Sequence, residues 1–359
     1  MNFKEVTKDN PSPRIQYIDL LKCVSIYFIC LYHFGNIFPK SDEDFIKTLL
    51  MIISSCAVPI FFMCSGAVLL NKSINYKIYI KKIIKIVILT IAWALLTVLF
   101  LTMIRHETIS LIEIIKIVAE WRVNWVNHLW FLHAMLVIYL VYPMLKAIFD
   151  TNIKYTYLFL GFLIVTIFGN NFLNICYNIF RYIHTGKTSE IISVNFLSLL
   201  NIFADDYFYV LVYFILGGIL YRNKSKIKDS ISKFKVMILL AMILLIYYLI
   251  NTMLLKVTNC NYDMVWNGYK NVFTLLLSTY ISILAQISEI KNCKLITFIG
   301  TNTFGIFVLH WIIGFVLQDY MLSINLILRM ICIIMIACFC SLISNIAKHI
   351  PFIKYLFKF

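Results

Sequence analysis

Apolar runs of 18 or more residues alternate with short polar stretches along almost the whole chain. About 20 apolar residues, rising 1.5 Å each as a helix, cross the roughly 30 Å hydrocarbon core of a bilayer. On that rule the pattern predicts ten spans, at about 17–38, 46–70, 84–104, 129–149, 155–177, 204–221, 235–255, 270–290, 296–318 and 326–346. A membrane β-barrel needs segments of about ten residues alternating apolar and polar, and these are missing. The expected fold is an all-α polytopic integral membrane protein, a bundle of about ten transmembrane helices.

The first span breaks its own pattern. Arg14 to Phe38 reads RIQYIDLLKCVSIYFICLYHFGNIF, an apolar run that contains Asp19, Lys22 and His33. An ionisable group at the centre of a membrane helix costs roughly 2.5–3.5 kcal/mol on insertion scales, so it needs a reason. Lys22 and His33 are eleven residues apart, close to three helical turns, so they share one face about 16 Å apart along the axis. Asp19, three residues before Lys22, lies on that face too and is expected to offset the buried charge of Lys22. The plainer account has Asp19 and Lys22 snorkelling to the headgroups and His33 packing in the bundle.

Composition sharpens the class. Of 359 residues 62% are hydrophobic and only 14% charged, with a mean hydropathy of +0.87, which no soluble domain of this size matches. The net charge of +15 could suggest nucleic acid, but its placement argues against that partner. With the N-terminus in the cytoplasm, 21 Lys/Arg fall on inner segments and 10 on outer ones, an imbalance that predicts both termini cytoplasmic. Trp121, Trp125, Trp130, Trp266 and Trp311 then fall on or near the outer side, as an interfacial belt does. The polar start, MNFKEVTKDNPSP, precedes a long charged span without a cleavage signal, so it is expected to be a tail before an uncleaved anchor. Most of the ten cysteines lie in apolar spans as small hydrophobes; Cys176 and Cys260 could pair outside, though no spacing requires it. No CxxC pairs or HExxH occur, and His128 and His133, five apart, suit one helical face poorly, so no metal is expected.

Further along, Pro59 should kink or break the second span, and Ser65-Gly66 suits close helix packing. Lys77, Lys81, Lys82 and Lys85 cluster in the inner loop that follows. They are either positive-inside bias or a docking site for a phosphorylated ligand. The stretch from Trp121 to Tyr142 is dense in Trp, His and Tyr, which suits either an interface or stacking on sugars; His128, Trp130, His133 and Tyr139 stand in it. Asp205 and Asp206 look like helix-capping residues, and Gly217-Gly218 like a helix contact. His310 lies inside a late span, where a lone histidine is more often a packing residue than a catalyst. Matched broken helices in two halves, a mark of secondary transporters, are absent.

Five blocks in order, IDLLKCVSIYFICLYH, VPIFFMCSGAVLL, HLWFLHAMLVIYLVYPML, DDYFYVLVYFILGGIL and TFGIFVLHWII, resemble the acyltransferase 3 family of ten-helix membrane enzymes. Two of them are most similar to the O-acetyltransferases that modify enterobacterial common antigen and related surface glycans. The resemblance implies transfer of an acyl group, acetyl by default, from acyl-CoA to a sugar hydroxyl on a lipid-linked or cell-surface glycan. The family's Arg-x10-His pattern falls on Lys22 and His33, and its basic Arg-x-x-Arg element on Lys82 and Lys85, so each arginine is replaced by lysine. Lysine keeps the charge but not the planar two-pronged grip on phosphate.

The expected division is a cytoplasmic tail over 1–13, an acyltransferase 3-like transmembrane domain over 14–346 and a basic cytoplasmic tail over 347–359, in a cell (plasma or inner) membrane. In the expected mechanism His33 is the general base and Lys22, Lys82 and Lys85 bind acyl-CoA. Asp19 and Ser65 support, and His128, Trp130, Tyr139 and His310 meet the acceptor. Acetyl-CoA is a co-substrate, with no cofactor bound permanently. The competing reading is an exporter or flippase of a lipid-linked polysaccharide that does no chemistry and has no need of His33.

Overall fold

The computed structural model describes residues 14–39, 44–106, 109–120, 126–186, 192–197, 200, 208–258 and 268–358. Regular structure among them is helical throughout. Eight helical spans are long and apolar enough to cross a membrane, and two shorter apolar helices, Tyr209–Arg222 and Val272–Ile287, fall where the sixth and eighth spans were expected. Trp121, Trp125, Trp266, Asp205, Asp206, Cys260 and the tail over 1–13 lie outside the described residues.

In chain order the helices are α1 Gln16–Phe34, α2 Phe45–Ser55, α3 Ala57–Leu69, α4 Tyr76–Arg105, α5 Leu111–Glu120, α6 Trp130–Thr151, α7 Ile153–Leu163 and α8 Asn170–Thr185. They continue with α9 Tyr209–Arg222, α10 Lys224–Ser230, α11 Lys233–Thr258, α12 Val272–Ile287, α13 Lys294–Val316, α14 Gln318–Ser323, α15 Leu326–Ala347 and α16 Lys354–Phe357.

Local chemistry explains most of the boundaries. The second span divides at Cys56, and Pro59 then sits in the first turn of α3, where its missing N–H leaves no helical bond unmade. A wide turn over Ile164–Gly169 joins α7 to α8 in one helical stretch of 33 residues. Two boundaries correct the sequence-based expectation. First, α4 starts at Tyr76, so Lys77, Lys81, Lys82 and Lys85 ride on a helix rather than in a loop. The Asn75 side chain caps it by accepting from the Ile78 N–H at 3.2 Å, and no Gly or Pro interrupts the sequence after it. Second, α5 is an extra, amphipathic helix. Ser110 and Glu113 cap it reciprocally: the carboxylate accepts from the Ser110 N–H at 2.9 Å, and the Ser110 hydroxyl accepts from the Glu113 N–H at 3.3 Å.

Between membrane helices, close van der Waals packing replaces the hydrophobic drive, and α3 against α9 shows how. A Cβ on Gly66 would lie 1.8 Å from the Phe214 carbonyl oxygen, and one on Gly217 would lie 2.0 Å from that of Met63. The two backbones meet because both positions lack a side chain. Helix α1 runs between α3, α13 and α15, with Asp19 against Gly300 and the Phe34 ring against Gly314. The polar groups of the first span therefore face other helices.

Candidate functional site

Beside α1 the helices leave a cleft of about 110 Å³ lined by Lys22, Ile26 and Ile29 of α1, Phe61 and Ser65 of α3, Phe131 and Met135 of α6, and Thr303, Phe304 and Phe307 of α13. The spacing 22, 26, 29 is one helical face of α1, and 131, 135 and 303, 307 are the matching faces of α6 and α13. The walls are apolar with one charge, the Lys22 ammonium, which has no ion-pair or hydrogen-bond partner among the described residues.

Continued along α1, the same face reaches His33. Three further rings meet it there. The His33 ring centroid is 5.6 Å from that of His310 and 5.0 Å from that of Trp311. His128, in the short turn before α6, lies 6.1 Å from His310 and stacks on Trp311 at 4.8 Å. Phe307, at the edge of the cleft, touches His128 and His310 at 5.7 Å and 6.1 Å, so the ring cluster adjoins the cleft. His128 and His310 are 2% and 0% exposed, whereas His33 is half-buried. His310 Nδ1 is 3.1 Å from the Ile306 carbonyl oxygen. Its Nε2 and both nitrogens of His128 have no partner among the described residues. Burying such groups unsatisfied is costly. Among the described residues no group of three His, Cys, Asp or Glu is arranged to hold a metal ion.

The other end of the cleft is basic. One turn beyond Met135, Tyr139 lies under Lys82, whose ammonium is 6.0 Å from the phenol ring centroid. Tyr79 of α4 donates to the Tyr139 carbonyl at 2.9 Å, tying α4 to α6 at this level. Lys85 is half-buried one turn further along α4. Along α6 the cleft residues Phe131 and Met135 thus lie between His128 on one side and Tyr139, with Lys82 over it, on the other.

The structure separates several residues that the sequence had grouped. The Asp19 carboxylate does not pair with Lys22; it binds Arg14, at 2.6 Å and 3.2 Å. With α1 seated against Gly300, three residues along the helix is enough to turn Asp19 toward α13 while Lys22 turns to the cleft. Ser65 lines the cleft, but its hydroxyl donates back to the Phe61 carbonyl at 3.0 Å. His128 and His310 join His33, while Trp130 and Tyr139 do not. Trp130 packs 5.6 Å from Tyr269 instead, and Tyr139 belongs with Lys82.

Two residues at this end were missed. Trp311 carries the stack but had been counted only toward the interfacial belt. Arg329 is buried in α15, and its guanidinium donates to the carbonyls of Gly35 at 3.2 Å, Ile324 at 2.7 Å and Leu322 at 3.1 Å, and also to that of Met321. It ties the end of α1, just past His33, to α14 and the loop after it. An ionisable group inside an apolar span was the available signal, as it was for Lys22.

A family model described as an acyltransferase domain matches residues 15–346. No curated protein and no solved structure matches the chain.

Proposed function

This chain belongs to the acyltransferase 3 family, and on that footing we propose that it moves an acyl group, acetyl by default, from acyl-CoA to a hydroxyl of a lipid-linked or cell-surface glycan. The observation that carries this reading is the cleft with Lys22 on its wall and the half-buried His33 further along the same face of α1. The anionic nucleotide of the donor docks at Lys82 and Lys85, and its acyl arm lies along the apolar passage past Lys22. His33 takes the proton of the acceptor hydroxyl, and the oxygen attacks the thioester carbonyl. The carbon–sulfur bond then breaks, and the leaving thiolate recovers the proton from His33. Unpartnered nitrogens of His128 and His310 supply hydrogen bonds to the sugar. Acetyl-CoA is a co-substrate, and no resident cofactor enters the scheme.

The finer picture belongs to the same proposal. The bundle has ten membrane helices with both termini cytoplasmic, α9 and α12 supplying the two short ones. The transmembrane domain over 14–346 is flanked by a cytoplasmic tail over 1–13 and a basic cytoplasmic tail over 347–359, and the acceptor resembles that of the enterobacterial common antigen type O-acetyltransferases. The protein sits in the cell membrane.

The test is purified protein with labelled acetyl-CoA and membrane glycolipid, wild type beside His33→Ala. Label on glycan from the wild type and its loss in the variant support the reading. If wild type transfers no acyl group while glycan export fails in cells lacking the protein, the exporter takes its place.

A further inference from the structure

After α15 the chain does not run off into solvent. It turns back through Phe352, whose φ of 67° is a conformation that bulky residues rarely adopt and that surrounding contacts must hold. Those contacts are specific. Phe357 is 6% exposed and lies 5.3 Å from the Trp93 ring, while the Trp93 indole N–H donates to the Leu356 carbonyl at 3.0 Å. The return is thereby fixed against α4, two turns beyond Lys85 in sequence. Nearby, the Lys348 ammonium donates to Asn302 Oδ1 at 2.7 Å and to the Thr301 carbonyl at 2.9 Å. This ties the end of α15 to α13.

The return thus brings a cation back toward the lysines at the start of α4. Lys72 and Lys85 are each close enough to repel Lys82, and Lys358 bears on Lys85 in the same way. Burial, with Lys358 and Arg14 close by, pushes the Lys348 ammonium below its usual pKa. No carboxylate pairs with Lys82, Lys85, Lys348 or Lys358 among the described residues, and the nearby Asp19 is taken by Arg14. Membrane-surface lysines on inner loops need no such convergence. Four uncompensated cations from three separate segments, held together by a buried anchor, call for a polyanion.

We propose that the C-terminal return is part of the donor site, with Lys358 and Lys348 joining Lys82 and Lys85 around the phosphates of the nucleotide-bearing thioester. This deepens the acyl-CoA reading and rests on it. The return supplies charge that the helices alone lack, which offsets the loss of the arginine fork at positions 82 and 85.

The experiment is equilibrium binding of coenzyme A and of 3′-dephospho-coenzyme A to the full chain in nanodiscs of phosphatidylcholine, with and without phosphatidylglycerol. Lys358→Gln and Lys348→Gln should each weaken coenzyme A binding by about tenfold, the lower end for a charge-assisted hydrogen bond. The loss should be smaller for at least one of them with the dephospho form. Lys358→Arg should restore affinity, and Lys354→Gln, next to Tyr355 on the same return, should leave it unchanged. If Lys85→Gln weakens binding while Lys358→Gln and Lys348→Gln do not, the return has no part in the site and the donor reading stands. If those two variants change only the stabilisation by phosphatidylglycerol, the cations hold lipid headgroups and the proposal is overturned. If wild type binds neither nucleotide, both readings fall together.

Discussion

The His128 imidazole lies flat on the Trp311 indole, 4.8 Å between ring centroids and 18° between planes, with neither of its nitrogens satisfied among the described residues. Stacking fixes the ring through its face and leaves its edges for another partner. That division separates two roles in one experiment. His128→Phe keeps the stack and removes the nitrogens, so the protein should fold normally. Its apparent KM for the glycan acceptor should rise about 2–10-fold, the range for one neutral hydrogen bond, while the donor KM stays put. An acceptor KM equal to that of wild type would make His128 a packing residue.

His33 is the least buried of the three clustered histidines. Replacing it with alanine should lower the transfer rate by about 10²–10⁴-fold, the usual loss of a general base. Donor binding should persist, because Lys22 and the basic mouth lie some three turns away. Acetyl transfer at matched membrane expression reads this directly, and a wild-type rate in the variant would remove His33 from the mechanism.

Lys22 and Asp19 are not partners, and this alters what their variants do. Because Arg14 holds Asp19, Lys22→Met should insert and melt like wild type, while using donor less well. Lys22→Arg should retain activity, since it keeps the charge and adds the fork that fits phosphate. Neutralising Lys82 and Lys85 together should raise donor KM with kcat little changed, as for contacts made equally in ground and transition states. An unaltered donor KM in the double variant would return those lysines to topology signals.

Helix α3 should tolerate no side chain where it meets α9. Gly66→Ala puts a Cβ 1.8 Å from the Phe214 carbonyl oxygen, so the helices must separate, at an overpacking cost of about 1–3 kcal/mol or more. Gly161→Ala is the contrast, because nothing lies within 4 Å of the added Cβ. Thermal melting in detergent should show a large drop for the first and none for the second. Equal melting temperatures would mean that α3 and α9 do not pack this closely.

Orientation is tested from outside the cell. Single cysteines within 222–235 should resist an impermeant thiol reagent in intact cells, while one at Asn127 should react. The reverse pattern would invert the topology and move the donor mouth to the other side of the membrane.

Much of the architecture is written locally. Helical class, most spans and the shared face of Lys22 and His33 follow from apolar run length and the 3.6-residue turn. The capping box at Ser110 and Glu113 was equally legible, and α5 could have been found from it. The early start of α4 could have been read from Asn75 and the unbroken helix formers after it. What misled there was a run of lysines, because charge marks the membrane surface without saying whether the backbone beneath it is coiled.

The site is a different matter. His33, His128 and His310 are separated by 95 and 182 residues in sequence, and periodicity carries no information on which faces of distant helices turn toward each other. That depends on helix rotation and on how near two backbones can come. Here both are set by glycines such as Gly66, Gly217 and Gly300. The same freedom decided that Tyr139 meets Lys82 instead of the histidines. Sequence alone determined a helical membrane protein with an ionisable stripe in its first span. Only the tertiary structure decided which residues share the cleft, because partners across helices are chosen by packing in three dimensions and not by spacing along one.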